Sequence, residues 1–212
     1  MGQLDVHGEA MTHELERRAF LSSCAAVVLG LSGCAPLLSR TRLASLELDD
    51  PTPDDYTPVL RALIETILPF DHPRFPEIAP AVMEARFLAL FPLEADERFL
   101  LLRKGLVIFD RIDLFPELAA QTAEEREHAA DERARYEQFR AALPRDRAER
   151  FTALTPPERS GYLGLWGQSA FASKQLFYHT SRRLVLVTAY SETEFWRAIG
   201  YAGPLLPASH PS

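Results

Sequence analysis

The chain has 212 residues, with 30 acidic side chains against 23 basic ones and a net charge of −7. That balance, with no basic stripe, argues against nucleic acid as a partner. At 47% apolar residues the chain can bury the core of one sizeable domain.

The first element in chain order is an address, not a fold. From Met11 a short polar start carries Arg17 and Arg18, an apolar stretch runs from Ala19 to Leu31, and small residues precede Cys34. This is the three-part layout of an export signal. Glu16-Arg17-Arg18-Ala19-Phe20-Leu21-Ser22 resembles the twin-arginine consensus, in which the arginine pair is followed one residue later by Phe-Leu. The apolar stretch is diluted by Ser22, Ser23, Gly30 and Ser32 and is shorter than the ~20 residues a spanning helix needs, so it does not read as a permanent transmembrane anchor.

Leu31-Ser32-Gly33-Cys34 resembles the lipobox of bacterial lipoproteins, where the cysteine thiol takes a diacylglyceryl group before cleavage. The resemblance implies that residues 1–33 are a removable signal and that Cys34 becomes the lipidated first residue of the mature protein. Leu21-Ser22-Ser23-Cys24 has no apolar run ahead of it and is not a second lipobox. Residues 1–10 add nothing to the signal, which leaves Met1 and Met11 both open as starts. The expected destination is the periplasmic side of a bacterial membrane, reached through the twin-arginine translocase and held by lipid on Cys34. Without residues 1–33 the net charge is −5 and Cys34 is the one cysteine left. No disulfide or thiolate metal site is then expected, and packing must supply stability.

Residues 34–54 are polar, acidic and proline-bearing, with Pro36, Pro51 and Pro53. Such a composition suits a tether from the lipid to a folded domain that starts near Asp54. There, Leu60, Leu63, Ile64, Ile67 and Leu68 recur at three- and four-residue spacing, which predicts a helix face that Pro69 stops. A second helix is predicted over 79–90, and a third over 94–113 with Phe99, Leu102, Leu106, Phe109 and Ile112 on its inner face. Residues 117–142 are rich in Ala, Glu and Arg, with Asp131 and Arg135 one turn apart, and read as a long solvated helix.

Thr155-Pro156-Pro157-Glu158 is a capping box with proline at the first helical position. It predicts a helix carrying Tyr162, Leu165, Trp166 and Phe171 that continues toward Thr188, with Gly164 or Gly167 as a kink. Ser191-Glu192-Thr193-Glu194 repeats the cap pattern and opens a short helix through Trp196 that Gly200 ends. Strand character is confined to Leu184–Val187, so the class is all-α: an irregular domain of about five to seven helices over 55–207, with 208–212 as a tail.

Signatures for dinucleotides, Walker loops, nucleophile elbows and haem attachment are absent from the sequence. Glu125-Arg126-Glu127-His128 holds a Glu-x-x-His spacing, but a di-iron bundle needs a second such pair facing inward, so a solvated acidic face with one incidental histidine explains it better. His179 could act as a general base. No acid or nucleophile accompanies it in sequence, and a hydrogen-bonded core or interface histidine fits better. Trp166, Phe171, Phe177, Tyr178, Phe195, Trp196 and Tyr201 gather the aromatic residues in the last third, most of them as expected core.

Together, the twin-arginine leader, an early helix ending in Ile67-Leu68-Pro69 and the closing Phe195-Trp196-Arg197-Ala198-Ile199-Gly200-Tyr201-Ala202-Gly203-Pro204 resemble the small subunit of gluconate 2-dehydrogenase and its relatives. In that family the end reads Trp-x-x-Ile-Gly-Tyr-Pro-Gly-Pro; here Ala202 replaces the proline, and Leu184 to Tyr190 stands where the family carries Gly-Gly-Asn. The resemblance implies a subunit without chemistry of its own. Its partner would be a flavin-dependent dehydrogenase of the glucose-methanol-choline type, which holds the FAD, often with a cytochrome c subunit. Trp196, Gly200, Tyr201, Gly203 and Pro204 are then the expected interface residues. It also implies that a twin-arginine signal on the small subunit, a route for folded cargo, exports the flavin-loaded partner. A stand-alone helical envelope lipoprotein acting as a scaffold is the alternative.

Overall fold

The computed structural model describes residues 50–113 and 123–198. The signal, most of the tether and the Gly200–Pro204 motif fall outside the described residues. Within them the fold is all-α: α1 (Pro53–Ile67), α2 (Pro80–Leu90), α3 (Leu100–Asp110), α4 (Ala123–Ala141), α5 (Pro156–Gly167), α6 (Ala172–Tyr190) and α7 (Thr193–Ala198). Short 3₁₀ turns stand at Glu97–Phe99 and Phe151–Ala153. No helix among the described residues is long and apolar enough to cross a membrane.

Helix α1 is the centre, packed against α2, α3, α5 and α6. It opens on a capping box, Thr52 with Asp55, and on Pro53, whose missing N–H costs nothing in the first turn. It ends at Ile67 with Leu68 in extended backbone, because Pro69 disfavours helical geometry at the residue before it. Of the face that the spacing predicts, Leu60, Leu63, Ile64 and Leu68 are buried and Ile67 is half-buried; Tyr56 and Val59 extend the buried face toward the N-terminus. Arg61 on α1 clamps α2 through Glu84, with Nε donating at 2.5 Å and Nη2 at 3.1 Å.

The third predicted helix is shorter than its apolar spacing suggests. Residues 97–99 form a 3₁₀ turn capped by Asp96, and α3 stops at Asp110. Asp110 is buried and turns its carboxylate across the fold, accepting from Thr152 N at 3.0 Å, Thr152 Oγ1 at 2.9 Å and Arg150 Nη1 at 3.0 Å. Phe109, beside it, is the hub of the core. Its ring lies 4.5 Å from Phe151, 5.0 Å from Trp166, and 5.1 Å from both Tyr162 and Phe177.

The helix from Pro156 does not run on toward Thr188. It begins as its capping box predicts, with Thr155 N donating to Glu158 Oε2 at 2.7 Å, a bond that holds the Glu158 carboxyl below its ordinary pKa. It ends at Gly167, and residues 168–171 turn the chain so that α6 packs back on α5. The turn is fixed by side chains of α4, described below. Leu184–Val187 is not strand but the middle of α6, where Leu184, Val185 and Thr188 share a buried face. Ser191 closes α6 rather than capping α7, since its hydroxyl donates to Thr188 O at 2.7 Å.

Close helix approach restricts Gly105 on α3. A Cβ there would lie 2.9 Å from Cδ2 of Phe177, a buried ring packed against Phe109 and Trp166. Gly105→Ala is therefore expected to lower the melting temperature: overpacking costs about 1–3 kcal/mol while helix propensity returns only about 1 kcal/mol. An unchanged or raised melting point would show that the Phe177 ring yields freely.

Candidate functional site: an apolar groove beside a buried polar cluster

Two places in the fold hold more than core packing. The first is a groove where the end of α1 and the loop after it face the end of α6 and helix α7. Its volume is about 610 Å³, and its walls include Ile67, Leu68, Pro69, Phe75, Leu186, Tyr190, Phe195 and Ala198. Edge-to-face contacts build one wall: Phe70 to Phe75 at 4.9 Å and Phe75 to Phe195 at 5.0 Å. Leu68, Ala189 and Phe195 are buried at its floor, while Pro69, His72, Arg74 and Tyr190 are exposed along the mouth. Tyr190 is one of two large apolar residues that the described fold leaves exposed, at 49%; the other is Val82 on α2.

Helix α7 and the turn before it are tied to α6 and to α2. Trp196 Nε1 donates to Tyr190 O at 2.6 Å, and Arg86 on α2 reaches Glu192 at 3.5 Å and Glu194 at 3.7 Å. Of the expected interface residues, Trp196 is thus half-buried at the α6–α7 corner; Gly200, Tyr201, Gly203 and Pro204 lie outside the described residues. Arg17, Arg18, Phe20, Leu21 and Cys34 lie outside them as well.

The second place lies on the inner face of α4, which is long and largely exposed as its composition predicts but buries two of its glutamates, so that Glu125 does not belong to a solvated acidic face. Its inner face runs Glu125, Glu132, Tyr136 and Phe139; the two glutamates are 7% and 3% exposed, and Tyr136 is fully buried with its hydroxyl donating to Ile112 O at 2.8 Å. Both glutamates serve the turn before α6. Glu132 accepts from Ser169 Oγ at 2.7 Å, from Ala170 N at 3.1 Å and from Lys174 Nζ at 2.5 Å; Glu125 accepts from Ala172 N at 3.1 Å. Ser169 Oγ in turn accepts from Phe171 N at 3.0 Å. Two carboxylates therefore satisfy backbone N–H groups at the start of α6, where the helix dipole also favours negative charge. Arg135 donates to Gln168 O at 3.4 Å and forms no ion pair with Asp131.

Lys174 is 1% exposed, and its ammonium also lies 4.4 Å from the Phe171 ring centre. Burial pulls its pKa down to about 8, against the opposing pull of Glu132. The Ser169–Glu132–Lys174 arrangement has the residue types of a hydrolytic site. However, Ser169 is 1% exposed and its hydroxyl is tied on both sides, so it is built to hold the α5–α6 turn.

The histidines stand apart from any such chemistry. His128 is exposed while Glu125 faces inward, so the Glu-x-x-His pair does not converge. His179 is exposed on α6 beside the Tyr178 ring, not in the core. Among the described residues no group of three His, Cys, Asp or Glu side chains is arranged to hold a metal ion. Sequence reading missed Glu132, Lys174 and Ser169, and also His72, Arg74 and Phe75. For the first set a signal exists in hindsight: the spacing 125, 132, 136, 139 is a helical face whose lower half is aromatic.

Comparison of the chain with protein-family models, with curated proteins and with solved structures gave no match.

Proposed function

We propose that this chain is the non-catalytic small subunit of an exported flavin-dependent dehydrogenase of the glucose-methanol-choline type. In this reading it escorts the partner through the twin-arginine pathway, stabilises it and anchors it through lipid on Cys34. FAD and the chemistry belong to the partner, and a cytochrome c subunit can complete the assembly. One observation supports this reading most. Two of the segments that carry the resemblance lie far apart in sequence yet wall the same apolar groove: Ile67-Leu68-Pro69, and the start of the closing motif through Phe195 and Ala198.

The test is purification of the tagged protein from membranes followed by a visible absorption spectrum. A flavoprotein in stoichiometric amount is expected; its consistent absence sinks the reading. Changing Arg17 and Arg18 to lysine is expected to block export of the chain and to strand the flavoprotein in the cytoplasm. If fractionation still finds the flavoprotein outside, the signal is only this chain's own address. Cys34→Ala is expected to release the protein from membranes.

A second reading, a stand-alone helical envelope lipoprotein serving as a scaffold, draws on a different observation. Trp166, Phe171, Phe177 and Phe195 are buried in the chain's own core and need no partner to cover them. A monomer without flavin at native expression would favour it.

A further inference from the structure

Among the described residues that line the groove, Arg74 is the one that carries a permanent charge, and its guanidinium makes no ion pair with a described residue. His72 lies beside it and accepts the Arg74 backbone N–H on Nδ1 at 3.2 Å, which leaves Nε2 as the ring nitrogen that can donate. Asp71 and Glu77 are exposed on the same loop but line no part of the groove. On the far side, Arg86 is already engaged by Glu192 and Glu194. The mouth therefore presents an arginine and an imidazole donor above an apolar floor.

We propose that the groove receives an apolar segment of the flavoprotein that carries a carboxylate. The apolar side chains enter between Phe75, Leu186 and Phe195, and the carboxylate meets Arg74 and His72. This rests on the accessory-subunit reading above. A volume of about 610 Å³ accommodates side chains of a short segment. An apolar floor with an aromatic and an arginine at its rim is the composition of an interface centre. The guanidinium fork matches a carboxylate in two parallel hydrogen bonds, which a lysine cannot reproduce.

The experiment measures the affinity of the full chain for the flavin-dependent dehydrogenase that co-purifies with it, using substitutions at exposed positions whose melting temperatures match the parent. Tyr190→Ala and Arg74→Gln are each expected to weaken binding at least tenfold. Arg74→Lys should recover part of the loss, Arg74→Glu should deepen it, and Val82→Asp on α2 should stay within twofold. If the parent chain binds the flavoprotein and the Tyr190 and Arg74 substitutions leave affinity unchanged, the groove is not the docking site, although the subunit reading stands. If Val82→Asp alone weakens binding, the docking face is α2 and the proposal fails. If no flavoprotein binds the parent chain, both the groove assignment and the subunit reading fall.

Discussion

Lys174→Met is expected to destabilise the fold by about 3–5 kcal/mol, because it leaves the buried Glu132 carboxylate without the hydrogen bond that Nζ donates in either protonation state and, below about pH 8, without its counter-charge. The loss should exceed what truncating one exposed ion pair costs, which is about 0–1 kcal/mol. Adding Glu132→Gln to Lys174→Met should recover most of it. The amide oxygen still accepts from Ser169 and Ala170, while no charge remains to be desolvated. Denaturant unfolding of the two single substitutions and the double gives the coupling directly. Additive losses would mean that Glu132 and Lys174 are not an energetic pair.

The same lysine sets a pH dependence. Its pKa is about 8 in the fold against 10.5 unfolded, so between those values the unfolded chain binds more protons. Stability should therefore rise as pH increases from about 8 toward 10, the opposite of a lysine whose pKa is raised by a partner. Lys174→Met should remove that rise. If melting curves of the parent and the substituted protein keep the same slope over this window, the lysine is not titrating as its burial dictates.

How far the sequence discloses this fold depends on whether the information is local. Thr155 with Glu158 and the prolines at 69 and 156 announce helix ends, because capping and ring sterics act within a few residues. The buried face of α1 follows from periodicity alone. By contrast, Glu132 and Lys174 are 42 residues apart, and a glutamate among Glu, Arg and Ala reads as solvated until its partner is placed. The break at 168–171 is half local: Gly167 marks it in the sequence, while the α4 carboxylates that hold the turn come from 38 and 47 residues away. Leu184–Val187 misleads in the other direction. Its branched residues suit a strand, yet Leu184 O accepts the Thr188 hydroxyl one turn on, and the shared inward face is helical. The groove was half legible, since Ile67-Leu68-Pro69 and Phe195-Trp196 stand out as segments. Their meeting was not, because it depends on the loop of residues 69–76, whose Phe70 and Phe75 rings meet edge to face, Phe75 in turn meeting Phe195.

Phe109→Ala is expected to cost about 3–5 kcal/mol, the range for truncating a buried aromatic ring. The upper part of that range applies here for a geometric reason. Among the described residues, four rings lie 4.5 to 5.1 Å from Phe109, and they come from the 3₁₀ turn at Phe151 and from helices α5 and α6. Collapse into the vacated space would need three elements to move at once. Each is pinned from outside the aromatic cluster: the 3₁₀ turn by Asp110, the end of α5 and the start of α6 by Glu132 and Glu125. Phe109→Leu should cost markedly less, since it leaves a smaller cavity. A loss below about 2 kcal/mol for the alanine substitution, measured by denaturant unfolding, would show that the rings close the gap and that the polar clamps around them are loose. Because Phe177 also meets Gly105, the same measurement on Gly105→Ala asks the opposite question of the same ring: whether it can give way when pushed rather than fill when space is offered.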